Sequence, residues 1–280
     1  MTDRAIVLQD TTLSFIGSGA MAEAMIKGIL THNLIDPRHI IASGPRAERG
    51  QELHGRYGVR TTIDNATAGA AGGIVVLSVK PQILPRVLTE LRGQVSFGAS
   101  VLSIIAGTRI DAIGQELGVE AVVRAMPNTP AQLGLGMTVW TATPEVSEKA
   151  RRQAQAILGA LGKEIYVEEE SYLDMATALS GTGPTYIYLF IEALIDAGVH
   201  LGFSRRVAQE LVLQTMAGSV AMARETGLHP AELRNRVTSP GGTSAAALYE
   251  LEKGGLRTVI SKAVRAAYLK SRSLGELSEK

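Results

Sequence analysis

The 280-residue chain contains no cysteine. That excludes disulfides, thiolate metal sites and a cysteine nucleophile, and it suits a reducing cytoplasm. Aromatic residues are scarce, at 4%, while small residues are many, which suits closely packed helices. The net charge is only +1, so no strong field draws the chain toward nucleic acid or an acidic membrane surface. The 5 histidines are scattered, without metal-ligand spacing, and no metal is expected. No uncharged apolar run reaches transmembrane length. Residues 1–10 lack the basic start and apolar stretch of a signal peptide. The expectation is a cytoplasmic chain of one large or two moderate domains.

What is present begins with strand–helix alternation. A short apolar strand over 12–16 runs into Gly17-Ser18-Gly19-Ala20-Met21-Ala22, and a helix follows to about Leu30. This is the G-x-G-x-x-A fingerprint in the strand–turn–helix context that dinucleotide binding requires. Gly17 serves the tight turn, Gly19 lets a pyrophosphate reach the backbone, and Ala22 allows close helix–strand packing. The second strand, 39–42, ends in Ser43-Gly44-Pro45-Arg46, with Arg49 one turn later. An NAD site usually ends this strand with Asp or Glu for the ribose 2′-OH. A hydroxyl and a guanidinium suit a 2′-phosphate instead, so NADP is favoured over NAD. The bland alternative is that Arg46 and Arg49 form a solvated helix face.

Further buried strands are expected over 73–79, 100–106 and 122–126. Their C-terminal ends carry Val79, Lys80 and Pro81, then Ala106 and Gly107, then Asn128. Ligands of open α/β sheets lie outside such ends, so these residues are placed toward one crevice. Asn65 lies in a loop before a small-residue helix, where it touches cofactor or serves the turn. Strands over 136–141 and 163–167 flank a helix over 147–161 with Ser147 as its N-cap.

After Glu168-Glu169-Glu170 the strand signals vanish. The expected domains are therefore 1–168, dinucleotide-binding, and 169–280, helical. Ile187, Phe190, Ile191, Leu194 and Ile195 form one helical stripe, yet Tyr188 and Leu189 fill the other face. Residues 211–223 carry no charge. A segment this short cannot easily surround two such helices alone, so an interwoven homodimer is expected. Glu192 interrupts the stripe, either as a buried, paired carboxylate or as a partly exposed helix residue. Two glycine-rich corners stand out: 180–184, read as a turn, and Thr238-Ser239-Pro240-Gly241-Gly242-Thr243. In the second, Thr243 is read as the N-cap of the next helix. Free N–H donors and hydroxyls at a helix start suit a carboxylate.

Together these stretches resemble the pyrroline-5-carboxylate reductase family. The resemblance rests on 15–22 (Phe-Ile-Gly-Ser-Gly-Ala-Met-Ala), 78–81 (Ser-Val-Lys-Pro) and 124–130 (Arg-Ala-Met-Pro-Asn-Thr-Pro). It also rests on 178–184 (Ala-Leu-Ser-Gly-Thr-Gly-Pro) and 237–243 (Val-Thr-Ser-Pro-Gly-Gly-Thr). The matches run in order from about Leu13 to Arg272. The last is specific to the family; the first is shared with many dehydrogenases.

The resemblance implies an N-terminal Rossmann domain and a C-terminal helical dimerisation domain. It implies reduction of 1-pyrroline-5-carboxylate to L-proline by NAD(P)H, with decamers in many members. Position by position, Gly17, Ser18, Gly19, Ala20 and Met21 would hold the pyrophosphate, and Ser43 and Arg46 the 2′-phosphate. Asn65, Lys80, Ala106 and Gly107 would border ribose or nicotinamide. Ser239, Gly241, Gly242 and Thr243 would hold substrate, with Thr243 on the ring nitrogen. NADPH is expected ahead of NADH. Thr182, Thr185 and Ser244 depart modestly from the family pattern. Two readings compete: a reductase of another cyclic imine on this scaffold, and a non-enzymatic NADP-binding dimer.

Overall fold

The computed structural model describes residues 8–277. Residues 1–7, where the expected lack of a signal peptide mostly falls, and 278–280 lie outside the described residues. By its internal contacts the chain forms two units, Met1–Thr182 with Ala267–Lys280, and Gly183–Ala266.

The first unit is built on eight strands: β1 (Leu13–Ile16), β2 (Ile40–Ser43), β3 (Arg60–Thr62), β4 (Ile74–Leu77), β5 (Ser100–Ser103), β6 (Val122–Met126), β7 (Gly136–Ala142) and β8 (Gly162–Tyr166). Their order in the sheet is β3-β2-β1-β4-β5-β6-β7-β8. β1 to β6 pair in parallel, and β7 runs antiparallel to β6. The first six strands follow the Rossmann order, whose direction reverses between β1 and β4. The chain crosses over through α1 (Ala20–Thr31), α2 (Ala47–Tyr57), α3 (Asn65–Ala71), α4 (Leu84–Leu91), α5 (Ile110–Leu117) and α6 (Glu148–Gly159).

β1, β2, β4 and β5 are buried along their whole length, so their side chains feed two cores. Leu13, Phe15, Ile40 and Val76 pack with Met25, Ile29, Leu53, Trp140 and Ile157 on one side. Ile16, Val75, Leu77 and Val101 pack with Val87, Leu91, Ile113 and Leu117 on the other. Each such side chain contributes about 1.5–3 kcal/mol by leaving water. Ser147 caps α6 by accepting the Ala150 N–H, as its position in the sequence predicts.

Two polar assemblies fasten the helices, one to each other and one to the sheet. On α1, Glu23 accepts from Arg49, from Arg56 Nη1 (2.9 Å) and from the Tyr57 hydroxyl (2.9 Å), pinning α2 to α1. Burial raises the Glu23 pKa, yet the hydrogen bonds from Arg49, Tyr57 and Arg56 outweigh it, and the net shift is downward. On β6, Arg124 is only 3% exposed and pairs with Glu170 at 2.6 Å. Glu170 also accepts the Ile110 N–H that opens α5. Removing one partner of a buried pair costs about 3–5 kcal/mol. These bonds hold α7 (Ser171–Ala176) and the chain to Thr182 within the first unit. The contact division therefore falls beyond the change of texture expected at residue 168.

The glycine-rich stretch 180–184 is not a simple turn. Thr177–Gly181 forms one π-helical turn, closed by the Thr182 N–H and hydroxyl on the Thr177 carbonyl, both 2.8 Å. α8 (Gly183–His200) opens the second unit after Thr182. Gly181 permits the π-helical turn, since a Cβ there would stand 2.8 Å from the Met126 side chain.

The second unit contains α8, α9 (Arg205–Thr226), α10 (Pro230–Arg236), α11 (Thr243–Lys253) and the start of α12 (Leu256–Leu277). α8 and α9 leave apolar side chains in water: Ile187, Tyr188, Leu189, Leu194, Leu211, Leu213, Val220 and Met222 are all exposed, Leu189 by 65%. In the single chain Glu192 is exposed too. The last turns of α12 belong to the first unit. There Ser271 donates to Asp174 at 2.7 Å, and Leu274 lies over Gly107.

Lowering the pH tests the Glu23 assembly. Its depressed pKa means that its stabilisation is present above the usual carboxylate range and is lost as pH falls below about 4.5. Glu23→Gln is expected to be less stable than wild type at neutral pH and to lose less between there and acid, read by denaturant midpoints. A second variant tests the α12 contact. Gly107 has φ of 78°, and a Cβ there would meet Leu274 at 2.8 Å. Gly107→Ala is expected to lose about 2 kcal/mol in urea unfolding, with part recovered when Leu274→Ala is added.

Candidate active site

In the first unit the C-terminal ends of β1, β2 and β4 meet at one turn. Gly17 donates to the Ser43 carbonyl at 3.1 Å, and the Ser78 hydroxyl donates to the Gly17 carbonyl at 2.8 Å. Gly17 takes φ of 106°, and a Cβ there would lie 2.9 Å from the Ser78 backbone and the Val79 side chain. Only glycine fits. Gly19 then caps α1 without any side-chain hydrogen bond, so the first N–H groups of a twelve-residue helix stay free. A Cβ on Gly19 would enter open space. Free donors, a positive helix end and an unobstructed approach fit a pyrophosphate.

Beyond β2 the two arginines behave differently. Arg49 is tied down: Nε donates to the Ser18 carbonyl at 3.1 Å, Nη1 to Glu52 at 2.8 Å, and Nη2 to Glu23. Arg46 is exposed and forms no side-chain hydrogen bond or ion pair among the described residues. Both border a hollow of about 400 Å³ with Ser18, Gly19, Ala20, Glu48 and Glu52. Ser43 is fully buried, and its hydroxyl donates to Asn65 Oδ1 at 2.7 Å. The hydroxyl that suggested a phosphate contact is thus used inside the protein, and it is the Ser43 carbonyl that touches the turn. Asn65 is the first residue of α3 rather than a loop residue, because Asp64 caps the helix through the Ala66 and Thr67 N–H groups. Its Nδ2 donates to Glu90 at 2.7 Å.

Across the reversal, Lys80 is exposed and precedes a 3-10 turn, Pro81–Ile83, beside the half-buried Val79. Ala106 and Gly107 follow β5. Asn128 follows β6, with both ends of its amide engaged: Nδ2 donates to the Ser180 carbonyl at 3.1 Å, and Oδ1 accepts the Met137 N–H at 2.9 Å. A larger hollow of about 970 Å³ lies at the opposite strand ends, beside Thr12, Gly73, Ser100 and Ala121. Ligands of open α/β sheets bind at the other edge, so the chemistry is placed there. Sequence reasoning missed Ser78, Glu23 and Arg49 as the bonds that shape this edge. Only Arg49 carried a signal, its place one turn after β2.

In the second unit, Ser239 to Gly242 close a tight turn, with the Gly242 N–H on the Ser239 carbonyl at 3.1 Å and Gly241 at φ of 68°. The turn leaves Gly242 extended (φ −79°, ψ 169°), and Gly242 is the N-cap of α11. This corrects the expectation that Thr243 is the cap. A capping threonine would spend its oxygen on the backbone; at the first helical position, Thr243 is exposed and its hydroxyl has no partner among the described residues. A Cβ on Gly242 would stand 2.5 Å from the Ser239 hydroxyl. The corner therefore presents two hydroxyls and uncapped N–H groups at the start of an eleven-residue helix. It can hold a carboxylate and a neighbouring polar atom.

Comparison with known proteins agrees with both halves. A family model described as pyrroline-5-carboxylate reductase dimerisation matches residues 170–274. One described as NADP oxidoreductase coenzyme F420-dependent matches 12–107. The chain is 42% identical to a pyrroline-5-carboxylate reductase of Synechocystis sp. over 94% of this chain and 98% of that protein. A crystal structure of the Plasmodium falciparum pyrroline carboxylate reductase with NADP bound superposes with a TM-score of 0.87, at 34% identity, covering 95% of this chain and 99% of that one. The Coxiella burnetii pyrroline-5-carboxylate reductase gives 0.86 at 36% identity, covering 94% and 98%. The chain belongs to the pyrroline-5-carboxylate reductase family.

Proposed function

We propose that the protein reduces 1-pyrroline-5-carboxylate to L-proline, the last step of proline biosynthesis, with NADPH preferred to NADH. The observation that carries this reading is the corner at 239–243, a free threonine hydroxyl beside uncapped helix N–H groups. It matches a ring that bears a nitrogen next to a carbon carrying a carboxylate.

Gly17 to Met21 cradle the pyrophosphate, and Arg46 meets the 2′-phosphate. Val79, Lys80, Pro81, Ala106 and Gly107 border the ribose and nicotinamide, with Asn65 and Asn128 bracing the loops around them. A bound reduced nicotinamide would supply the hydride that the imine carbon takes up. The free backbone N–H groups at the start of α11, from Thr243 onward, with the Ser239 hydroxyl, hold the substrate carboxylate, over the turn that Gly241 and Gly242 form. Thr243 Oγ1 accepts a hydrogen bond from the protonated ring nitrogen, which orients the ring. A protonated imine already accepts hydride well, and its nitrogen keeps that proton as proline forms. The corner therefore needs no strong acid. Positioning and fixed dipoles supply the acceleration.

The exposed apolar faces of α8 and α9 are covered in a homodimer, and decameric assembly in the cytoplasm extends the same reading. A single chain would leave Leu189 and Leu213 in water; a second copy, carrying the same matched dimerisation segment, buries them.

Loss of NADPH absorbance with pyrroline-5-carboxylate, run beside its six-membered homologue, is the deciding assay. Fast turnover of the five-membered ring is expected; preference for the larger ring would assign another cyclic imine, and tight NADPH binding without turnover of either would make this a binding protein. Thr243→Val is expected to lower turnover by roughly ten- to a hundredfold, the worth of one charge-assisted hydrogen bond; unchanged turnover would remove Thr243 from the mechanism. Leu189→Glu with Leu213→Glu is expected to shift the mass measured by light scattering to that of a monomer.

A further inference from the structure

Two arginines follow β2, and the structure separates them. Arg49 keeps only 15% of its side chain in solvent and faces two carboxylates, Glu23 and Glu52. Its Nε also reaches back to the Ser18 carbonyl, inside the dinucleotide turn. All three nitrogens of the guanidinium are thus engaged. Burial pulls its pKa down, but the hydrogen bonds to Glu23 and Glu52 come first and hold it raised. A group so held is a strut between α2 and the turn. Arg46, on the same hollow, is free.

The hollow is also electrically balanced. Arg46 and Arg49 stand against Glu48 and Glu52 along its wall. Glu52 is 53% exposed, and among the described residues its one ion-pair partner is Arg49. A ligand carrying an extra phosphate gains from Arg46 and is opposed by Glu52.

We propose that Arg46 alone discriminates the phosphorylated nucleotide, that Arg49 is a positioning residue for the turn, and that the Glu52 carboxylate limits the preference for NADPH over NADH. This rests on the reading that the edge holds a pyridine nucleotide. The charge balance makes the chain a moderate discriminator, able to use both reductants. Removing the Glu52 charge changes that while Arg49 keeps its bonds to Glu23 and to the Ser18 carbonyl.

Isothermal titration of NADP⁺ and NAD⁺ against the full-length protein separates the three roles without turnover. Glu52→Gln is expected to raise the ratio of NADP⁺ to NAD⁺ affinity about fivefold, the weight of one unit charge about 4 Å away in a water-like dielectric, as befits a half-exposed carboxylate. Glu52→Asp keeps the charge and is expected to leave the ratio as in wild type. Arg46→Ala is expected to lower the ratio on the order of tenfold. Arg49→Lys keeps the charge but loses the fork, and is expected to weaken both nucleotides by a similar factor. An unchanged ratio in Glu52→Gln, or selective loss of NADP⁺ in Arg49→Lys, would overturn the inference. Wild-type protein that binds both nucleotides but reduces no imine would instead sink the functional reading and leave these ratios to be judged alone.

Discussion

The turn at Gly17 is the constraint on which the nucleotide edge depends. Its N–H reaches the end of β2 and its carbonyl receives the Ser78 hydroxyl from the end of β4. Three strands are thereby drawn to one point, on either side of the place where the sheet reverses. The approach is close enough that a Cβ would collide with backbone, and the conformation is one that glycine alone adopts freely. With the turn so placed, α1 points its free N–H groups outward. Arg49, fastened by Glu23 and Glu52, grips the same turn from α2. Strain and packing at one residue thus set the orientation of a helix dipole, and the dipole is what an anion recognises.

The second unit repeats that logic with different parts. At 239–242 a Pro-Gly-Gly turn places Gly242, not Thr243, at the cap of α11. The displacement is a single residue, but it decides whether the threonine oxygen is consumed by the helix or remains free. Sequence rules rank Thr above Gly as a cap, and that ranking led to the wrong assignment. Turn geometry overruled it, because the bond from the Gly242 N–H to the Ser239 carbonyl already puts Gly242 in the extended conformation that a cap requires.

Much of the fold was readable in the residues. Short apolar runs buried on both faces announced β1, β4 and β5, the G-x-G-x-x-A stretch announced the turn and α1, and Ser147 announced α6. The candidate site was readable where chemistry is local, as in the fingerprint and the 238–243 corner. It was unreadable where a side chain's partner is distant in sequence. Ser43 looked like a phosphate ligand because a hydroxyl at a strand end is available until something takes it; Asn65, 22 residues on, takes it. Likewise 180–184 read as a plain turn because glycine and proline punctuate helices, whereas Thr182 bonding back to Thr177 closes a π turn over 177–181.

The sequence by itself determined the strand–helix alternation, the family, and the helical second half whose apolar surface exceeds what one chain can cover. These follow from spacing, composition and turn chemistry, which act over a few residues. The tertiary structure decided which of two neighbouring arginines is free, which hydroxyl is spent, and which residue caps α11. Those outcomes depend on contacts between segments far apart in the chain, such as Glu23 with Arg49 and Arg124 with Glu170. No local pattern encodes them, because each is settled by which partner the folded backbone brings within hydrogen-bond reach.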